Sequence, residues 1–166
     1  MIEPGDTVPS VPVKLVESDG IRDADAADVL GTGTVVFFTV PGAFTPTCDT
    51  SHLPGFISNV GKMAAHGVNR IVCGTVNDHH VTSLWATRSE ALGKVDFIAD
   101  AHGRLAKAMG LLKEFSDLGM RFARCAMILE GGVVQQIFVQ NVSGVTVSGA
   151  PAILLALEAS KSTESA

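Results

Sequence analysis

The residues best suited to chemistry in this 166-residue chain lie in PGAFTPTC, residues 41–48, which joins a β-branched run to a helical pattern. A thiol at such a junction meets the positive end of a helix dipole and unpaired backbone N–H groups, and both favour the thiolate. The thiolate is the useful nucleophile at neutral pH. Thr45 precedes Cys48 by three residues, so T-x-x-C stands where a redox C-x-x-C motif has its first thiol. A hydroxyl there forms no local disulfide, which disfavours a thiol–disulfide reductase, but it can hydrogen-bond a bound oxygen. His52 follows Cys48 by one helical turn. Free cysteine is also among the most buried residue types, so spacing alone leaves packed and catalytic roles for Cys48 evenly matched. Arg124 tips that balance. The strand pattern over 122–129 puts it on one face with Phe122, Ala126 and Ile128, opposite Ala123, Cys125, Met127 and Leu129. A guanidinium on an apolar face is costly unless it meets an anion, and a thiolate is one candidate. Arg121, at the strand's start, reads as a solvated edge residue.

Hydrophobic periodicity supplies the elements that must hold these groups. Residues 11–16 alternate as a strand, and 21–30 suggest a short helix. TVVFFTV, 34–40, is the continuous apolar run of a strand buried on both faces. From Cys48 to about His66, Leu53, Phe56, Ile57, Val60, Met63 and Ala64 predict one helical face, kinked at Pro54. Residues 70–76 form a second buried strand, and Asn77-Asp78 caps a helix reaching about Ala91. A strand at 95–99, a helix at 104–111, a hairpin 122–139 turning at Glu130-Gly131-Gly132 and a helix at 151–159 complete the pattern. The implied fold is α/β, a central mixed sheet with helices on its faces, and such sheets carry their sites at the carboxyl ends of parallel strands. The loop after Val40 lies at such an end.

The chain reads as a single domain over 1–166 with a frayed polar tail at 160–166. It is 46% hydrophobic and 17% charged, with a mean hydropathy of +0.34. The net charge is −5 and no Lys or Arg run exists, which argues against nucleic acid or an anionic membrane as partner. The most apolar stretch, 34–44, is broken by Pro41 and falls short of the roughly 20 residues that span a bilayer. Three cysteines, Cys48, Cys73 and Cys125, without a secretory pattern suit free thiols in the reducing cytoplasm. Adjacent His79 and His80 cannot both face one metal ion on a helix, and Gly31-Thr32-Gly33 precedes a strand, so it reads as a turn and not a nucleotide loop.

Taken together, P-G-A-F-T-P-T-C and H-L-P-G-F (52–56) resemble the peroxiredoxins, specifically the type II, peroxiredoxin-5-like group. The P-x-x-x-T-x-x-C core falls at Pro41, Thr45 and Cys48. Gly5-Asp6, Val76-Asn77-Asp78, Trp85 and G-x-R-x-x-R (119–124) extend the resemblance over nearly the whole chain. It implies a thioredoxin-like fold and thiol-dependent reduction of hydrogen peroxide and organic hydroperoxides without cofactor or metal. Cys48 would be the peroxidatic thiolate and become a sulfenic acid. Thr45 would orient the peroxide, Arg124 stabilise the thiolate and the leaving oxygen, and Pro41 shield the pocket. The resemblance also implies a homodimer and an external electron donor, glutathione with glutaredoxin or thioredoxin. Asp49 departs from the family's frequent Ser, and Val147 stands where animal members carry a resolving cysteine. Cys73 matches the resolver of plant-like members, although its apolar strand argues for a buried thiol. Cys125 reads as packing. A redox-sensing or chaperone-like protein using Cys48 as a switch is the alternative, but it need not keep the full Thr45–Cys48–Arg124 set.

Overall fold

A computed structural model describes residues 1–141 and 144–165. Seven strands form one mixed sheet in the order β2-β1-β5-β4-β3-β8-β9, with β1 Pro12–Glu17, β2 Gly20–Asp25, β3 Thr34–Val40, β4 Arg70–Thr75, β5 Asp96–Ala99, β8 Cys125–Glu130 and β9 Val133–Val139. Strands β3, β4 and β5 run parallel, as their helical crossovers require, while β8 returns antiparallel to β3. The β8–β9 hairpin turns at Gly131 and Gly132, whose φ of 57° and 80° are open to glycine.

Alternation along β3 sends its apolar run to both faces and so builds two cores. Val35 and Phe37 join Leu15, Ile98, Leu105 and Met127 on one side. Val36, Phe38 and Val40 join Cys48, Phe56, Cys73, Trp85 and Ile153 on the other. The second core carries the helices that position the site. These include α2 Leu53–Ser58, α3 Val60–Ala65, α4 His79–Arg88 and α6 Ala150–Ser165. Two shorter helices, α1 Ala26–Val29 and α5 Arg104–Ala108, complete the described set.

Four sequence expectations change. Half of 21–30 is strand β2, because pairing with β1 from Pro12–Asp25 to Glu17–Gly20 satisfies its backbone while its charged side chains stay exposed; only Ala26–Val29 is helical. The helix from Cys48 to His66 is in three pieces. Pro54 has no N–H to return to the preceding turn, and the chain widens there into a π turn, Cys48–His52, closed by Leu53 N–H to the Cys48 carbonyl. The second break falls at Asn59, whose φ of −110° leaves the helical region. Residues 112–122 hold an unforeseen hairpin, β6 Leu112–Phe115 with β7 Gly119–Phe122, too exposed to show a clean apolar alternation. Helix α6 runs on to Ser165, past the expected fraying point.

The anchor of the second core is Phe38, stacked on Phe56 with ring centroids 4.0 Å apart. Phe38→Ala should lower the unfolding free energy by about 3–5 kcal/mol, read as a drop in urea midpoint at unchanged slope.

Candidate active site

Cys48 opens the π turn at the carboxyl end of β3 and is fully buried. Its Sγ accepts a hydrogen bond from Arg124 Nη2 at 3.1 Å. The second arm of the same guanidinium, Nη1, lies 2.9 Å from His52 Nδ1, and His52 Nε2 lies 2.8 Å from the Ser148 carbonyl. A guanidinium only donates and a carbonyl only accepts, so Nε2 carries the imidazole proton and Nδ1 accepts from Arg124. That tautomer is neutral. Burial drives the His52 pKa from 6.5 to about 3, the Arg124 charge adding to the fall and the Ser148 carbonyl opposing it.

Arg124 reaches Cys48, but not from the strand face that the spacing predicts. Arg124 is not inside a strand. It stands between β7 and β8, where Ala123 N–H bonds the Leu111 carbonyl at 2.7 Å and the Arg124 carbonyl accepts from Gln140 N–H at 2.8 Å. The break changes sides: Phe122 belongs to the first core, whereas Ala126 and Ile128 line the second, with Cys48. Arg121 is no solvated edge residue either. Its Nη1 donates to the Val76 carbonyl at 3.2 Å and its Nε to the Leu118 carbonyl at 3.1 Å, clamping the β6–β7 hairpin to the end of β4.

The loop before Cys48 is stiffened from several directions. Thr45 Oγ1 donates to the Gly42 carbonyl at 2.7 Å, and a Cβ at Gly42 would lie 2.9 Å from Thr45 Cγ2, so the fold-back needs glycine. Thr45 is thus held in the loop, its bonded oxygen keeping lone pairs free to accept. Asn77 Oδ1 accepts from Ala43 N–H at 2.9 Å, tying this loop to the one after β4. Asp49 is held through its Oδ1, which accepts from the indole of buried Trp85 at 2.9 Å. Pro41, Thr47 and Arg124 line a pocket of about 330 Å³ with Lys113 and Phe115 of β6.

All three cysteines are free thiols, and all are buried. Burial, reinforced by nearby Cys48, pushes the Cys73 thiol well above its ordinary value. Cys125 is pushed up by burial to about 12, its sulfur 3.0 Å from Thr39 Oγ1. The Arg124 charge partly offsets the rise at Cys73, but the guanidinium hydrogen bond goes to Cys48. The pattern around Cys48 places His52 nearby without a role, and nothing in the local sequence marks Gln140 or Lys113. The oxygen of the Gln140 amide accepts from Thr146 N–H, Val147 N–H and Ser148 Oγ, fixing the turn whose carbonyl holds His52.

A buried cysteine sulfur under a guanidinium, at the carboxyl end of a parallel strand, defines a thiol enzyme on a thioredoxin-like fold. The model of the Redoxin family matches residues 3–154. Peroxiredoxin-2D of Arabidopsis thaliana is 36% identical over 156 residues, covering 92% of this chain and 96% of its own length. Reduced Prx3 of Vibrio vulnificus, solved in complex with hydrogen peroxide, superposes with a TM-score of 0.89 at 35% identity, covering 95% of this chain and 99% of that one. The 1-Cys peroxiredoxin of Plasmodium falciparum, 22% identical with a TM-score of 0.86, shares the fold. The chain belongs to the redoxin family, among its peroxiredoxins, and is a thiol-dependent peroxidase.

The neutral His52 makes stability depend on pH. Below 6.5 the unfolded chain binds a proton that the folded site refuses down to about 3, so the native state loses ground as pH falls through that window. Between pH 7.5 and 5, the wild type should lose about 2 kcal/mol more than His52→Asn. Urea unfolding of both proteins at the two pH values checks this, and equal losses would mean that folded His52 takes up the proton.

Proposed function

We propose that Cys48 is the peroxidatic residue and that Arg124, Thr45 and Pro41 complete the peroxide site. The observation that carries this reading is the 3.1 Å hydrogen bond from Arg124 Nη2 to Cys48 Sγ. The Cys48 thiolate attacks the terminal oxygen of ROOH, the O–O bond breaks, and the alkoxide or hydroxide leaves with a proton as ROH. Cys48 becomes the sulfenic acid. As the bond breaks, negative charge moves from sulfur to the departing oxygen, and a guanidinium already aimed at the sulfur stabilises both without reorganising. Thr45, its proton given to Gly42, offers lone pairs to the O–H of the bound peroxide. Pro41 walls the pocket without contributing an N–H.

Electrons return from an external thiol, glutathione with glutaredoxin or thioredoxin. Burial of Cys73 and Cys125 and the Val147 side chain at the resolver position support a one-cysteine cycle over an intramolecular one. Exposed Phe44 and Met120, beside the Cys48 loop and on the β6–β7 hairpin, support a homodimer through the face near the site. Three free thiols suit a reducing compartment such as the cytoplasm.

Stopped-flow oxidation by hydrogen peroxide tests the roles. Cys48→Ser should abolish the reaction. Arg124→Ala should slow it by about a hundredfold or more with the circular dichroism spectrum retained, and a wild-type rate would remove the electrostatic role. For turnover, Cys73→Ser should keep most of the steady-state rate with an external thiol. Non-reducing peptide mapping after peroxide should find little Cys48–Cys73 cross-link; an abundant one that turns over with reductant would replace the one-cysteine cycle.

A further inference from the structure

We infer that the pocket beside Cys48 receives a small thiol bearing a carboxylate, and that Lys113 is the residue that selects it; this rests on the peroxidase reading above. The pocket of about 330 Å³ is lined by Pro41, Thr47, Lys113, Phe115, Arg124 and Gln140, with Asn141 and Gly144 at one side. Hydrogen peroxide has two heavy atoms and fills the space of roughly two waters, about 60 Å³. Most of the volume is left for the second substrate.

The charge of the wall describes that substrate. Among the described residues, no Asp or Glu lines the pocket. Lys113 stands directly opposite Arg121 in the β6–β7 pairing, a like-charge arrangement that costs stability. Among the described residues, neither of them forms an ion pair with a carboxylate. Lys113 Nζ lies over the Phe115 ring, 5.1 Å from its centroid, which keeps the ammonium at the pocket wall. Arg124 is committed to Cys48 and His52, so Lys113 is the lining cation available to an incoming charge. In a chain of net charge −5, this uncompensated positive group suits an anionic ligand.

Sulfenic acid chemistry makes that ligand a thiol. Cys48–SOH and RSH form the mixed disulfide Cys48–S–S–R and release water. A second RSH attacks the disulfide, leaves as RSSR and returns the Cys48 thiol. A carboxylate in R set against Lys113 holds the first sulfur toward Cys48 through both steps. Glutathione, with two carboxylates, falls in this class.

The test compares three thiols of different charge, 3-mercaptopropionate, 2-mercaptoethanol and cysteamine, in steady-state peroxide consumption, with rates expressed per thiolate present. The wild type should prefer mercaptopropionate to cysteamine. Lys113→Glu should lower that preference by about tenfold and Lys113→Gln by about threefold, while Lys113→Arg keeps it. Added salt should compress the wild-type preference. An unchanged preference in Lys113→Glu and Lys113→Gln, both turning over on 2-mercaptoethanol, overturns the role of Lys113 and leaves the peroxidase reading intact. A wild type that consumes no peroxide with any of the three overturns the peroxidase reading, and this inference with it.

Discussion

One guanidinium between a buried sulfur and a buried imidazole sets the terms for the rest of this structure. Arg124 cannot sit at the edge of an apolar core unless both its arms are satisfied, and Cys48 and His52 satisfy them at 3.1 and 2.9 Å. The imidazole can accept only while neutral, and it is kept so by burial and by the Arg124 charge, while its one N–H proton, on Nε2, is donated to the Ser148 carbonyl. The Ser148 turn is in turn shaped by Gln140, whose amide gathers three donors from residues 146–148. Removing any link leaves a buried polar group without its partner, which is costly in a low-dielectric setting. The site is therefore held by a chain of contacts and not by one bond.

Prolines and a widened turn give that chain its geometry. Pro54 denies the helix a donor, and the resulting π turn carries both Cys48 and His52. Four residues apart on that widened turn, they fall on one side, where one guanidinium reaches both. The approaching loop is anchored by Asn77 and by the fold-back of Thr45 onto Gly42. Asp49, the carboxylate next to Cys48 in the chain, has a structural partner in the Trp85 indole. That bond draws its carboxylate toward the α4 side of the core and ties the start of the π turn to the helix beneath it.

The peroxide and thiol halves of the reaction ask different things of one pocket. In the proposed mechanism peroxide reduction needs fixed donors aimed at developing charge, the role assigned to the Arg124 end. Thiol return needs room and selectivity, roles assigned in that proposal to β6, whose Lys113 and Phe115 line the same pocket. The β6–β7 hairpin is therefore more than a connection. Arg121 clamps it to the end of β4, so the Lys113 wall of the pocket is fixed to the same scaffold as the loop before Cys48.

The local pattern of the sequence was enough for the parts that depend on near neighbours. The apolar run 34–40, the Asp78 cap, the Gly131-Gly132 turn and a thiol placed where a strand gives way to a helix all follow from periodicity and turn chemistry, and the motif around Cys48 names the family. Other features lie beyond such reasoning. Whether 21–30 is helix or strand was decided by pairing with β1, and the hairpin at 112–122 by contacts its exposed residues do not advertise. The facing side of Arg124 was decided by a break at Ala123. The protonation of His52 depends on an arginine 72 residues away and a carbonyl 96 residues away. Propensity and period report only a few residues of context, whereas burial, tautomer and the charge of a pocket wall belong to groups that meet only after the sheet has closed.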